Sequence, residues 1–184
     1  MPAKPNDFMR EAMKCAMKAA RHDDVPIGAV IVKNGKIIAR GENKVQQKSN
    51  PILHAEIVAI MAACKKLEKK FLDGCEIFIT LEPCAMCATA ISLARIKKVT
   101  YAAEDPKGGG IEYNAKIYDT DRHLFKPEVE KDAEYSDTSS KMLKGFFKKL
   151  RAKNELKSAP VKPSKRVIKQ RGKIIRKNMK QGAK

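Results

Sequence analysis

Residues 75–103, CEIFITLEPCAMCATAISLARIKKVTYAA, hold the pattern from which the rest of the chain is interpreted. The apolar run CEIFIT (75–80) is typical of a short buried strand, residues 84–95 favour a helix, and KKVTYAA (97–103) predicts another strand. The helix begins inside PCAMC, so the C-x-x-C pair Cys84 and Cys87 lies where a strand ends and a helix starts.

The segments on either side predict an α/β sandwich. IGAVIVKNGKIIARG (27–41) has two apolar runs around Asn34-Gly35, which favours a hairpin because both residues tolerate the positive φ of a type I′ turn. Three further ranges have the pattern of helices, namely 6–20, 54–70 and 139–153. Residues 111–136 give no clear pattern. Helices alternating with strands in this order indicate a sheet covered by helices on both faces.

Composition limits the class of protein. The chain has 184 residues, 43% of them hydrophobic, and no run of 18 apolar residues, so no membrane-spanning helix is expected. The N-terminus lacks the apolar stretch of a secretory signal. The five cysteines are odd in number and irregularly spaced, which argues against a disulfide framework. We therefore expect a protein of the reducing cytoplasm.

The positive charge is concentrated at the C-terminal end. The net charge of the chain is +18, and residues 148–184 hold 15 Lys and Arg against the single acid Glu155. The sequence from 157 onwards has two early prolines and no aromatic residue. We predict one domain over 1–153 and a basic tail over 154–184 that is disordered alone. The tail is either a solubilising extension or a segment attracted to a polyanion, RNA above all.

The C-x-x-C pair by itself has more than one interpretation. It is compatible with a thioredoxin-like redox pair, but the element order before it is not thioredoxin-like. It is also compatible with half of a structural zinc site, which would need a second cysteine pair that the chain lacks.

A second stretch, LHAEIVAI (53–60), resolves the choice. His54 adds one nitrogen to the two thiolates, which makes three ligands for a tetrahedral Zn²⁺ and leaves one vertex for water, as in catalytic sites. Glu56, two residues further on, would reach that water without being a ligand. A lone His-x-Glu would be an ordinary helix start, but the two motifs together predict a zinc hydrolase. All three ligands would lie at helix N-termini, which favours the thiolates.

Four segments resemble, in order and spacing, the bacterial tRNA-specific adenosine deaminases of the cytidine deaminase superfamily. They are DVPIGAVIVKNGKIIARGEN, NPILHAEIVAI, ITLEPCAMCATAI and YAAEDPKGGG. The resemblance covers roughly residues 6–153. It implies a cytidine deaminase-like three-layer α/β/α sandwich with a mixed sheet of about five strands. It further implies a homodimer with one zinc per subunit that converts the first anticodon adenosine of tRNA to inosine.

The resemblance also implies site residues. His54, Cys84 and Cys87 match the zinc ligands and Glu56 the proton shuttle. Four positions match or approximate substrate-binding residues, and they are Asn43, Asp105, Lys107 and Phe147. Ordinary structural roles for three of them remain open: a loop-capping asparagine, a turn aspartate and a solvated lysine.

The chain departs from the family pattern in several places. Asn50 stands where an aspartate is usual, the EDPKGGG loop matches only in part, and the arginines expected after the Phe146-Phe147 pair are mostly replaced. No family counterpart aligns with the chain beyond 155. Two other functions remain open: a free-base or nucleoside deaminase acting on guanine or cytosine, and a silent RNA-binding protein with a structural zinc. The second alternative expects Glu56 to be lost, yet it is present.

Overall fold

The computed structural model describes residues 5–119 and 125–158, with side chains over 7–119 and 125–155. The described elements follow one another along the chain as α1 Pro5–Arg21, β1 Gly28–Lys33, β2 Lys36–Glu42, α2 Ala55–Leu67, β3 Cys75–Leu81, α3 Ala85–Leu93, β4 Lys98–Ala103, a 3₁₀ turn Ile117–Asp119, β5 Glu128–Lys131 and α4 Ala133–Ser158. The expected α/β class with a mixed five-stranded sheet is confirmed.

The sheet has the strand order β2-β1-β3-β4-β5. Strand β1 is antiparallel to both β2 and β3, whereas β3, β4 and β5 run parallel. The predicted hairpin is confirmed: Lys33 pairs with Lys36, and Asn34 and Gly35 between them have φ of 48° and 69°. These positive values are those of a type I′ turn.

Alternating side chains on β1 supply two cores, one on each face of the sheet. Ala29 and Ile31 join the cluster formed with α2 and α3, while Val30 and Val32 pack with α1 on the opposite face. This is the period of two that a strand imposes. Helix α4 covers the second face too, since Tyr135 packs against that cluster and the Ser139 hydroxyl donates to the Thr80 carbonyl.

The structure differs from the prediction at three elements, one of which is α4, predicted over 139–153 and observed over Ala133–Ser158. Strand β5 lies within residues 111–136, which have no clear pattern in the sequence. The pattern is weak because β5 is an edge strand, and of its residues Val129 alone packs against the core. Helix α2 ends at Leu67 rather than residue 70. Glu68 adopts a left-handed conformation (φ 52°) there and its N–H caps the carbonyls of Cys64 and Lys65.

The chain divides into two units, residues 1–148 and 149–184. The first unit contains the sheet and both cores. Of the second, residues 149–158 are described, and they form the last part of helix α4. The tail was predicted to begin at 154, but residues 154–158 are helical, and beyond Ser158 the tail lies outside the described residues. No helix among the described residues is long and apolar enough to span a membrane.

Candidate functional site

Two helix N-termini meet at the site. His54 is the N-cap of α2 and Cys84 the N-cap of α3, both with extended backbone (ψ 158° and 170°). Neither side chain forms a capping hydrogen bond with its own helix, so the imidazole of His54 and the thiol of Cys84 can contact each other. Cys87 lies one turn into α3 and is fully buried.

The three predicted metal ligands lie together. Nδ1 of His54 is 3.7 Å from Sγ of Cys84 and 3.6 Å from Sγ of Cys87, and the three donor atoms lie within 4.8 Å of one another. Zinc with Zn–N of about 2.0 Å and Zn–S of about 2.3 Å in a tetrahedron would separate nitrogen from sulfur by about 3.5 Å. The donor set and its spacing therefore fit zinc.

The cluster favours the charged form of one thiol. A hydrogen bond from the Cys87 thiol lowers the pKa of Cys84 to about 4, against the opposing effect of burial, and His54 contributes in the same direction. The same bond raises the pKa of Cys87, as does its burial. The pKa of His54 is raised, chiefly by its hydrogen bond with Cys84. A cation at the centre would favour the thiolate form of both cysteines.

Glu56 lies on the first turn of α2 and is buried, with 3% of its surface exposed. Burial raises its pKa to about 7. Its Oε2 is one of two buried side-chain atoms among the described residues that have no hydrogen-bond partner. A carboxylate oxygen left unpaired next to a metal-ligand cluster fits a group that exchanges protons with a bound molecule.

The other such atom is Oδ1 of Asn43, the residue that directly follows β2. Lys44 N–H donates to the carbonyl of Leu53 at 2.9 Å, which brings the backbone at Asn43 next to that at His54. The Nδ2 of Asn43 contacts Oδ1 of the fully buried Asp24 at 3.5 Å. Because a carboxylate accepts, this contact turns the amide N–H₂ towards Asp24 and leaves Oδ1 free.

Asp24 also orders the loop that follows Asn43. Its two carboxylate oxygens accept from the backbone N–H groups of Gln46 (2.8 Å) and Gln47 (3.0 Å). At the far end of this loop Oδ1 of Asn50 accepts from the N–H of Ile52 at 3.2 Å. An aspartate would supply the same acceptor, so the substitution at position 50 preserves this bond.

The third part of the site is the loop 104–113 between β4 and the 3₁₀ turn. Oδ1 of Asp105 accepts from the N–H groups of Lys107 and Gly108 at 3.1 and 3.0 Å, so this side chain stabilises a turn. Lys107 is exposed. Gly110 donates its N–H to the carbonyl of Pro83 at 2.8 Å, which seats the loop against the start of α3.

Phe147 lies on α4, outside the two helix starts and the two loops described above. Its ring is 40% exposed and packs edge-on against Phe146, with 5.5 Å between centroids. The structure thus brings together His54, Cys84 and Cys87, and seats the loops of Asn43 and Asp105 beside the two helix starts that carry them. It gives Phe147 no described contact with them.

Two buried carboxylates at the site were missed by the sequence analysis. Asp24 and Glu82 both lie inside segments that carry the family resemblance, but neither was predicted to be a site residue. The signal for Glu82 was available, because an acidic residue directly after an apolar strand has few ways to be solvated. No comparable signal marks Asp24, which has the exposed Asp23 as its neighbour.

Comparisons with known proteins agree with this geometry. The model of the MafB19-like deaminase family matches residues 4–151. A tRNA-specific adenosine deaminase of Rickettsia bellii is 43% identical over 145 residues, which is 78% of this chain and 99% of that one. A solved structure from a study of A-to-I editing by tRNA:A34 deaminases superposes with a TM-score of 0.73 at 39% identity, covering 75% and 99% of the two chains. The structure of a guanine deaminase from Bacillus subtilis has a TM-score of 0.53 at 43% identity, covering 55% and 66%.

Proposed function

Since the chain belongs to the tRNA-specific adenosine deaminases within the MafB19-like deaminase family, we propose that it converts adenosine to inosine at the first anticodon position of tRNA. The chain is a deaminating enzyme. The observation that carries the proposal is the cluster of His54, Cys84 and Cys87 beside the buried, unpaired carboxylate oxygen of Glu56.

The reaction replaces the amino group at C6 of adenine by oxygen from water. His54, Cys84 and Cys87 would hold one zinc ion per subunit. Bound there, zinc would supply hydroxide at neutral pH, since it lowers the pKa of coordinated water to about 7.

Glu56 would move the protons. Its carboxylate takes the proton of the attacking water and passes it to N1 of the adenine as the oxygen adds to C6. It then takes the second proton of the water, from the oxygen now attached to C6, and delivers it to the amino nitrogen, so that the C6=O bond forms, the C6–N bond breaks and ammonia leaves. A pKa raised by burial to about 7 suits a group that both accepts and donates near neutral pH.

The substrate residues would hold the base and its strand. Asn43 presents its free Oδ1 and one N–H to the flipped base, and the loop of Asp105 and Lys107 lies beside the start of α3 to meet the RNA strand. Phe147 would contact the RNA from α4. Removing a base from its stack costs little in an anticodon loop, because the bases there are already unpaired.

We also propose a homodimer formed through the outer surface of α2 and α3. The inner residues of these helices pack on the sheet, whereas several large apolar side chains on and just before them are exposed, namely Ile52, Met61, Met86 and Leu93. Light scattering of the protein and of its Met61→Glu variant tests this: the wild type should have twice the mass of one chain, and the variant should be shifted towards the monomer.

The basic segment beyond residue 155 would add attraction to the tRNA backbone. We place the reaction in the reducing cytoplasm, because all five cysteines are free thiols and two of them must be available to a metal.

The experiment that tests the function is incubation of the zinc-loaded protein with total tRNA and, separately, with free adenine, cytosine and guanine. We expect inosine at the first anticodon position and no ammonia from the free bases. The similarity to a guanine deaminase makes guanine the critical comparison. Ammonia from guanine, without inosine in tRNA, would overturn the proposal in favour of a free-base deaminase.

A further inference from the structure

The buried carboxylate of Glu82 is not used by the mechanism above. Glu82 follows β3 and precedes Pro83 and Cys84, and 2% of its surface is exposed. Its own N–H donates to the carbonyl of Ala103 at 2.8 Å, so its backbone is fixed against the end of β4. The side chain is therefore held rigidly between the two strands from which the site's loops emerge.

The partners of this carboxylate are backbone N–H groups of a single loop. Oε1 accepts from three consecutive residues, Ile111 (3.1 Å), Glu112 (2.8 Å) and Tyr113 (3.3 Å), and Oε2 accepts from Asp105 at 3.1 Å. These donors lie at the two ends of the loop 104–113. One carboxylate therefore ties both ends of that loop to the core.

No basic side chain among the described residues forms a salt bridge with Glu82. A buried carboxylate without a cation is strongly unfavourable unless several donors satisfy it. The four peptide N–H groups meet that requirement, and they do so in the loop's present conformation. The carboxylate therefore depends on these donors. The loop depends on the carboxylate at both of its ends, beside two further anchors, the bond from Gly110 to the Pro83 carbonyl and the buried side chain of Ile111.

Two glycines of the loop allow it to pack closely on Glu82 and on the start of α3. A Cβ at Gly109 would lie 2.3 Å from Oε2 of Glu82, and a Cβ at Gly110 would lie 2.5 Å from the backbone N of Ala85. Gly109 does not have a positive φ, so its requirement is space rather than backbone freedom. The loop packs so closely on Glu82 and on the start of α3 that a methyl group does not fit.

We propose that Glu82 is a positioning residue, which preassembles the loop 104–113 against the metal-bearing helix so that Asp105 and Lys107 meet the RNA strand without a prior ordering step. Its effect on RNA rests on the proposed function, whereas its effect on the loop does not. Preassembly matters because a loop that must be ordered on binding weakens affinity by the entropy of that ordering.

Two variants test this. Glu82→Ala removes both acceptors. Glu82→Gln keeps the shape, and its one oxygen can serve the three donors of residues 111–113 while its N–H₂ faces the N–H of Asp105. The matched control is Glu76→Gln, on the strand β3 that precedes Glu82, where the half-buried Glu76 makes an ion pair with the exposed Lys97 at 3.5 Å. Amide hydrogen exchange, zinc content, and kcat and KM on an anticodon stem-loop are measured for each.

In Glu82→Ala we expect hydrogen exchange at the amides of residues 105 and 111–113 to be faster by about tenfold or more. In Glu82→Gln we expect faster exchange at the amide of residue 105. Zinc content should stay at the wild-type value. KM should rise by about tenfold, the size of effect that outer-shell supports commonly have, with a smaller change in kcat. Wild-type exchange at all four amides in both variants would overturn the proposal, and so would a loosened loop with unchanged KM. If Glu82→Ala does not fold, Glu82→Gln carries the test.

A double-mutant cycle with Gly109→Ala separates positioning from general destabilisation. In the wild type the new methyl group collides with the carboxylate, so Gly109→Ala should speed loop exchange. In Glu82→Ala the space is vacated, so the same change should have little further effect. Additive effects would contradict the packing on which the proposal stands. If the wild-type protein makes no inosine, the proposed function fails, and the exchange data still decide the role of Glu82 in the loop.

Discussion

The metal-ligand cluster and the two loops beside it are constructed differently. The cluster takes its ligands from the first turns of two helices, where His54, Cys84 and Cys87 are placed by the helices themselves. The loops 43–50 and 104–113 have little regular structure, and a buried carboxylate from elsewhere holds each of them, Asp24 in one case and Glu82 in the other. Changes in the cluster should therefore abolish the chemistry, whereas changes in the carboxylates should weaken the handling of substrate.

The largest effect is expected at Cys87. Replacing it with Ala leaves two ligands, too few to hold zinc firmly, so metal and turnover should be lost together. Metal analysis and an inosine assay on the purified protein measure both. The matched control is Cys64→Ala, a half-buried free thiol of α2 outside the cluster, which should keep its zinc. Full zinc occupancy in Cys87→Ala would remove that residue from the ligand set.

The next effect is expected at Glu56, which we propose moves protons in the reaction and is not one of the predicted ligands. Glu56→Ala should keep zinc while turnover falls by about 10²–10⁴, the usual contribution of a general acid–base group. Rates and metal content are measured on the same preparation, with wild type as the reference. Near-normal turnover in the zinc-loaded variant would exclude the proton-shuttle role.

A smaller effect is expected at Asp24, whose carboxylate holds the loop that follows Asn43. Asp24→Asn replaces one acceptor oxygen by a donor that faces an N–H group, so the loop carrying Asn43 should loosen. KM for tRNA should rise several-fold, on the order of 1 kcal/mol, with zinc unchanged. Asp23→Asn is the matched control, because Asp23 is exposed and asparagine tolerates its left-handed backbone (φ 58°). Equal KM values in the two variants would show that Asp24 does not position the loop.

The smallest effect on saturated turnover is expected from deletion of residues 156–184, because all the predicted ligands and the loop supports described above lie before residue 156. Affinity for tRNA should fall, and the slope of log affinity against log salt should decrease by roughly 0.7–0.9 for each phosphate that the shortened chain no longer neutralises. Preference for the correct anticodon should persist, since phosphate contacts do not read bases. Binding and turnover at two salt concentrations check this. An unchanged slope would give the tail no part in binding, and a collapsed rate would mean that it helps position the substrate.

The difference between the cluster on the two helix starts and the two loops also explains which features the sequence could predict. Cys84 and Cys87 at C-x-x-C spacing and His54 before an apolar helix were recognisable because short-range spacing on a helix determines geometry. The hairpin at Asn34-Gly35 was recognisable for the same reason, since the turn residues carry their own backbone preference. Strand β5 escaped because an edge strand buries too little to show alternation.

The sequence alone determined the helix and strand order of the core, and it predicted a ligand set of His54, Cys84 and Cys87 with Glu56 beside it. Each of the two motifs is a pattern of residue types within one short stretch, although His54 lies 30 and 33 residues before the two cysteines. The tertiary structure decided what holds the substrate loops. Asp24 accepts hydrogen bonds from backbone amides that lie 22 and 23 residues further along the chain. The amides that donate to Glu82 lie between 23 and 31 residues after it. Long-range bonds from a carboxylate to backbone N–H groups leave no mark in residue spacing, because every residue except proline offers the same donor.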